Sequence, residues 1–324
     1  MPRAPRPASE LLDEARDGSR AALAQLLSLV ERGGASARDV GRLTYPLGGA
    51  AYTIGLTGAP GAGKSTLVAG LVGALRSRSD EVAVLAVDPT SPFSGGAILG
   101  DRVRMQDHAL DAAVFIRSMA TRGHLGGLSL ATPEAVRVLD AVGFEWVIIE
   151  TVGVGQVEVE VAGAADTTLV VVNPGWGDAV QASKAGLLEI ADVFVVNKAD
   201  RPGVDEARRD LEHMLDLASL THDAWRPPIV STVASTEQGI DDAIAAIVSH
   251  REWLSTDGRL DAKRASRLCD ELVSILSERV VERVRGLRAG DDFARVQAAV
   301  ASRTVDPWTA ADELLARLEQ ASAL

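Results

Sequence analysis

The stretch Gly58-Ala59-Pro60-Gly61-Ala62-Gly63-Lys64-Ser65-Thr66 follows the pattern G-x-x-x-x-G-K-[ST]. Before it, Tyr52-Thr53-Ile54-Gly55-Leu56-Thr57 reads as a buried strand. After it, Leu67-Val68-Ala69-Gly70-Leu71-Val72 opens a helix. A strand, a glycine-rich turn and a helix N-terminus in this order restrict the chain to an α/β arrangement that binds phosphate. Glycines let the backbone close tightly, so that several N–H groups point at phosphate oxygens. The helix N-terminus adds partial positive charge. Lys64 has the reach for β- and γ-phosphates, and the Ser65 hydroxyl is a magnesium donor. Residues Gly58 to Thr66 are therefore the candidate phosphate cradle.

The chain around this loop supports the same class. Apolar runs at 52–57, 82–87, 113–117, 145–149, 167–172, 192–196 and 228–231 read as strands, with helical patterns between most of them. Strands that are apolar throughout belong in a mostly parallel sheet covered on both faces. Functional loops then fall beyond the carboxyl ends of the strands, where Asp88, Glu150, Asn173 and Asn197 stand. Residues 9–33 carry one helical period, and 36–45 a second, shorter one. After 250 the pattern changes. Leu268, Leu272, Ile275, Leu276, Val280 and Val284 form a stripe along a helix over 262–286, and a further helix begins near Pro307. The expected organisation is an N-terminal helical segment over 1–50, a phosphate-loop domain over 51–250 and a C-terminal helical arm over 251–324.

The base that accompanies the phosphates is indicated by Asn197-Lys198-Ala199-Asp200, directly after the apolar run Val193-Phe194-Val195-Val196. In N-K-x-D the aspartate accepts from guanine N1–H and N2–H₂. Adenine offers neither donor, and a buried Asp200 would then be left unpaired at a cost. Asn197 can tie this loop to the phosphate loop, and the stem of Lys198 can cover the base. Ser231, Thr232 and Val233 end the last core strand, where backbone N–H groups can contact the base. GTP and GDP are the expected nucleotides.

Oxygen ligands suited to Mg²⁺ surround these motifs. Asp88 and Asp101 bracket a loop rich in Gly, Ser and Pro. Glu150 ends the run Trp146-Val147-Ile148-Ile149 and opens Glu150-Thr151-Val152-Gly153, where GTPases more often carry D-x-x-G. With Ser65 these three acids form the candidate metal set. Gln156 is a candidate for orienting water. Asp178 and Lys184 sit in a loop of glycine, proline and tryptophan that suits a mobile segment.

Composition removes several classes. The net charge of −12 disfavours a broad nucleic-acid surface. One cysteine, Cys269, excludes an internal disulfide framework and a cysteine metal cage. No apolar run reaches membrane-spanning length, and the first residues lack a signal core, so a cytoplasmic protein is expected.

The motifs together resemble the MeaB/ArgK family, GTPase chaperones of acyl-CoA mutases that use adenosylcobalamin. The resemblance rests on Thr57 to Thr66, Asp88-Pro89-Thr90-Ser91-Pro92, Gly95 to Arg102, Arg117 to Gly127, Glu150 to Gln156 and Asn197 to Asp200. It covers most of 10–290. It implies a GTPase core with N-terminal helices and a C-terminal dimerisation arm. It also implies a homodimer that binds methylmalonyl-CoA mutase or a relative, gates cofactor loading and protects the mutase. By the family pattern Ser65, Asp88, Asp101 and Glu150 hold Mg²⁺. Lys184 belongs to an additional mobile switch and joins Lys64 and Glu150 in the catalytic set. The loop Asn173-Pro174-Gly175-Trp176-Gly177-Asp178 and the run Val157-Glu158-Val159-Glu160-Val161 depart from the pattern and leave the identity of the mutase open. Two other readings stand beside this one. A metal-insertion GTPase would need the Cys and His ligands that this chain lacks in suitable spacing. A kinase of a transport protein is disfavoured by the guanine motif.

Overall fold

The structure is a computed structural model and describes residues 6–89, 110–121, 131–151, 163–175, 189–217, 223–287 and 291–321. The described chain divides into two compact units, Met1–Arg264 and Ala265–Leu324.

The first unit is built on a seven-stranded sheet. Its strands are β1 (Tyr52–Gly58), β2 (Val82–Pro89), β3 (Val114–Thr121), β4 (Trp146–Thr151), β5 (Thr167–Val172), β6 (Val193–Asn197) and β7 (Ile229–Thr232). Their spatial order is β3-β2-β4-β1-β5-β6-β7, and every pair is parallel. The expected strands are all present. The third is longer than its apolar run suggests, because β3 pairs with β2 from Val82↔Val114 to Pro89↔Thr121. The sheet grows outward in both directions from β1, so the loop after β1 lies where the winding reverses, the usual place for a ligand crevice.

Alternation along the strands sorts the core into two faces. Tyr52, Ile54 and Leu56 of β1, with Ile148 of β4 and Leu169 of β5, pack against α4 (Lys64–Ser77) and α7 (Ile240–Ser255). On the other face, Ala83, Leu85, Val147 and Ile149 pack against α1 (Ala8–Arg16), α2 (Arg20–Arg32) and α5 (Ala131–Val142). Val40 of α3 (Gly34–Thr44) joins the same cluster. Val170, Val172, Phe194 and Val196 are covered by Leu211 and Leu215 of α6 (Val204–Leu217). The N-terminal helices thus share one core with β2, β3 and β4.

The single helical period expected over 9–33 is two helices. Gly18 has φ +93°, which closes α1, and the Ser19 hydroxyl accepts from Ala22 N–H to cap α2. A continuous apolar stripe concealed this break.

Helix α8 (Arg259–Leu287) begins in the first unit and continues into the second, which also holds α9 (Asp291–Ala301) and α10 (Pro307–Ala321). Val296 and Ala310 are buried in this second unit. Arg295 pairs with Glu313, and Asp306 accepts from Trp308 N–H, Thr309 N–H and the Thr309 hydroxyl to cap α10. Helix α9 has no counterpart in the sequence reading. On α8, Leu268, Leu272, Val273, Leu276, Val280, Val281 and Val284 are exposed.

Candidate nucleotide site

The turn from β1 to α4 requires glycine for reasons specific to each position. Gly58 has φ +136°, and a Cβ there would collide with the Val171 carbonyl oxygen of β5. Gly63 has φ +93°, and a Cβ there would collide with Asn197 Nδ2. Left-handed backbone and close approach thus coincide at both ends of the loop. Ala62 between them is fully buried. Lys64 opens α4 and is almost buried, with Nζ donating to the carbonyls of Gly58 at 2.6 Å and Ala59 at 3.2 Å. Its ammonium therefore lies over the mouth of the loop, at the positive end of the helix.

Ser65 follows Lys64, and its hydroxyl donates to Glu150 Oε1 at 2.5 Å. Glu150 lies in β4, opposite Leu56 of β1 and Ala86 of β2, and is only 2% exposed. The sheet register therefore places an acid beneath the start of α4. A hydroxyl and a carboxylate at this distance are hard oxygen donors of the kind Mg²⁺ takes. The backbone of Asp88 lies next to the end of β2, beside Ala120 of β3. The side chain of Asp88 lies outside the described residues, as do Asp101, Gln156, Asp178 and Lys184. Among the described residues, Ser65 and Glu150 are the members of the expected metal set brought together.

Asn197 ends β6 and is 2% exposed. Its Nδ2 donates to the Ala62 carbonyl at 2.8 Å, and its Oδ1 accepts from the Thr232 hydroxyl and from Ala234 N–H, both at 3.1 Å. One buried amide thus joins the phosphate loop, the end of β6 and the turn after β7. Lys198 has φ +60°, and its Nζ donates to the Gly61 carbonyl at 2.6 Å, so its stem arches from the N-K-x-D turn to the phosphate loop. Ala199 N–H donates to the Thr232 carbonyl. Asp200, at the tip of the turn, is exposed. The sequence argument had assumed a buried carboxylate.

Ser231 and Thr232 end β7 and Val233 follows it, at the strand end that the sequence indicates. Val233 N–H donates to the Gln238 carbonyl, and the Thr232 hydroxyl is spent on Asn197. Gly239, φ +78°, lets this turn close, since a Cβ would collide with the Ser231 carbonyl oxygen. The Thr232 hydroxyl and Gly239 were missed by sequence reasoning. Only the pairing of β6 with β7, Asn197↔Thr232, reveals that threonine.

A phosphate cradle at the centre of a doubly covered parallel sheet, with an acid at one adjoining strand end and N-K-x-D at another, defines a P-loop GTPase. The sequence of this chain matches the profile of the methylmalonyl-CoA mutase-associated GTPase MeaB over residues 23–289, and the chain belongs to that family. It is 48% identical over 308 residues to a protein of Pyrococcus abyssi whose GTPase designation is itself inferred, covering 94% of this chain and 95% of that one. It is 38% identical over 317 residues to the GTPase ArgK of Escherichia coli, covering 94% and 95%. Among solved structures, a LAO/AO transport system kinase superposes with a TM-score of 0.69 at 30% identity, covering 98% of each chain. Among the described residues, no helix is long and apolar enough to cross a membrane, and no group of three His, Cys, Asp or Glu side chains is arranged to hold a metal ion.

Proposed function

We propose that this GTPase is a chaperone of an adenosylcobalamin-dependent acyl-CoA mutase, methylmalonyl-CoA mutase or a relative, and that GTP binding and hydrolysis gate cofactor loading. The observation that carries the nucleotide chemistry is the Ser65–Glu150 contact directly under the phosphate loop. The family match supports the mutase as client.

In this reading the loop N–H groups from Gly58 to Thr66 hold the phosphates, and Lys64 turns its ammonium from the loop carbonyls to the γ-phosphate as negative charge develops. Asn197 keeps the base-reading turn in register with the phosphate loop, and Asp200 accepts from guanine. Mg²⁺, when bound, would neutralise phosphate charge. Ser65 and Glu150 would hold it, with Asp88 and Asp101 as the further acids. Lys184 acts as part of a switch that responds to the γ-phosphate.

The exposed stripe on α8 supports a homodimer seam. Leucines and valines at helical spacing in water are a poor arrangement for a monomer. Leu272→Glu with Leu276→Glu is expected to convert a dimer to a monomer in light scattering after size exclusion. A wild-type monomer would remove this part of the proposal.

The experiment for the client is GTP hydrolysis by the purified protein with and without cobalamin-dependent mutases, one at a time. Turnover is expected to be slow alone and faster with one mutase. Turnover unchanged by every mutase would refute the chaperone role and leave the GTPase intact. The kinase description of the structural relative suggests a second reading, phosphoryl transfer to a transport protein. N-K-x-D opposes ATP as donor, and the absence of ATP binding would dispose of that reading.

A further inference from the structure

At the N-terminal ends of the strands, opposite the nucleotide loops, the first turns of α8 lie across the starts of β1, β5 and β6. Asp166, immediately before β5, is fully buried. Its Oδ2 accepts from Thr53 N–H at 3.0 Å and from Arg264 Nη2 at 2.7 Å, and its Oδ1 accepts from Arg264 Nε at 3.2 Å. Arg264 also donates to the carbonyls of Gly49 and Ala51, both at 2.7 Å. The neighbouring Lys263 donates to the Asp166 carbonyl at 2.8 Å and to Asp192 Oδ2 at 3.1 Å. Asp192 stands immediately before β6 and accepts from Thr168 N–H of β5. His250, 1% exposed, connects the same groups, with Nδ1 2.8 Å from the Thr167 hydroxyl and Nε2 3.3 Å from Asp192 Oδ1. The Thr167 hydroxyl in turn meets the Tyr52 hydroxyl at 2.5 Å.

None of these groups belongs to the phosphate loop or the N-K-x-D turn, yet they cross-link the two strands that end in those loops and the strand between them. β1 ends in the phosphate loop, β6 ends in Asn197, and β5 lies between them. At the nucleotide end the tolerances are tight. Gly58 lies against the Val171 carbonyl of β5, and Asn197 of β6 reaches the Ala62 carbonyl. Strands of this length are about 20 Å long. Over that distance, a slide or splay of β1 against β5 and β6 is transmitted directly to the loops.

We infer that Lys263 and Arg264 are positioning residues, which hold β1, β5 and β6 in the register that pre-forms the phosphate and guanine loops. This inference rests on the GTPase reading of the site. Arg264 carries the larger share. Its planar fork engages both Asp166 oxygens and two carbonyls of the segment entering β1, a geometry that lysine cannot reproduce.

The test is the dissociation rate of a fluorescent GDP analogue from the full-length chain, at a temperature where each variant is folded. Arg264→Ala and Lys263→Ala are expected to accelerate release by between about 2-fold and about 30-fold, the range of coupling seen across such networks. Arg264→Lys should fall between Arg264→Ala and wild type. Leu26→Ala is the control for lost stability alone, because Leu26 packs in the α1–α2–α5 layer, away from these three strands. It should leave the rate unchanged. If Arg264→Ala lowers the melting temperature but releases nucleotide at the wild-type rate, the clamp is structural only and the inference is wrong. Should Arg264→Ala not fold, Lys263→Ala, which leaves Arg264 on Asp166, decides by the same comparison. A wild-type chain that binds no guanine nucleotide would instead overturn the GTPase reading.

Discussion

Asn197 is the residue whose loss the structure prices most clearly. Asn197→Ala removes three hydrogen bonds and leaves the Ala62 carbonyl, the Thr232 hydroxyl and Ala234 N–H without that partner in a dry interior. At about 1 kcal/mol net for each bond, the loss is about 3 kcal/mol. For a unit of this size that is a fall of about 6–12 °C in melting temperature. Urea unfolding without nucleotide, followed by tryptophan fluorescence, is a suitable assay, since Trp146, Trp225 and Trp253 all lie in the first unit. Thr232→Val provides the internal check. It removes one donor to Asn197 and should cost about 1 kcal/mol in the wild type, but much less once Asn197 is alanine. The reasoning is refuted if Asn197→Ala costs under about 1 kcal/mol, or if Thr232→Val costs the same in both backgrounds.

Glu150, in the site, and His250, at the opposite end of the strands, give two further outcomes. Glu150→Gln keeps the shape and an acceptor for Ser65 but removes the charge. It should lower GTP turnover by at least about 10-fold and raise the Mg²⁺ concentration needed for half-maximal rate. An unchanged Mg²⁺ dependence would contradict the metal assignment. Burial pushes the His250 pKa from 6.5 down to about 4, with Lys263 acting in the same direction and Asp192 and Asp166 against it. The unfolded chain then binds a proton that the folded chain refuses. The associated stability is complete above pH 6.5 and is lost as pH falls toward 4, by about 3 kcal/mol in all. Urea midpoints measured across this range should fall for wild type and flatten for His250→Gln. Parallel curves for the two would show that another group titrates.

The strands were legible because they are buried on both faces and so appear as unbroken apolar runs. The phosphate loop and N-K-x-D were legible because each is a local pattern whose chemistry lies within a few residues. The break at Gly18 was not, since one glycine does not interrupt an apolar stripe. Nor was the clamp. Arg264 meets Gly49, Ala51 and Asp166, partners distant in sequence and brought together only by the order of the strands. The Thr232 hydroxyl was hidden for the same reason, and the exposure of Asp200 because a motif carries no information about burial.

The guanine specificity of the site is tested most directly by competition among GTP, ATP and XTP for the wild-type chain and for Asp200→Asn. A carboxylate at 200 matches the two donors of guanine, whereas a carboxamide offers one acceptor and one donor and so matches xanthine. Wild type is expected to prefer GTP over ATP by at least about 100-fold, and Asp200→Asn to lose GTP while gaining XTP. Equal binding of GTP and ATP by wild type, or a variant that keeps its preference for GTP, would contradict the account.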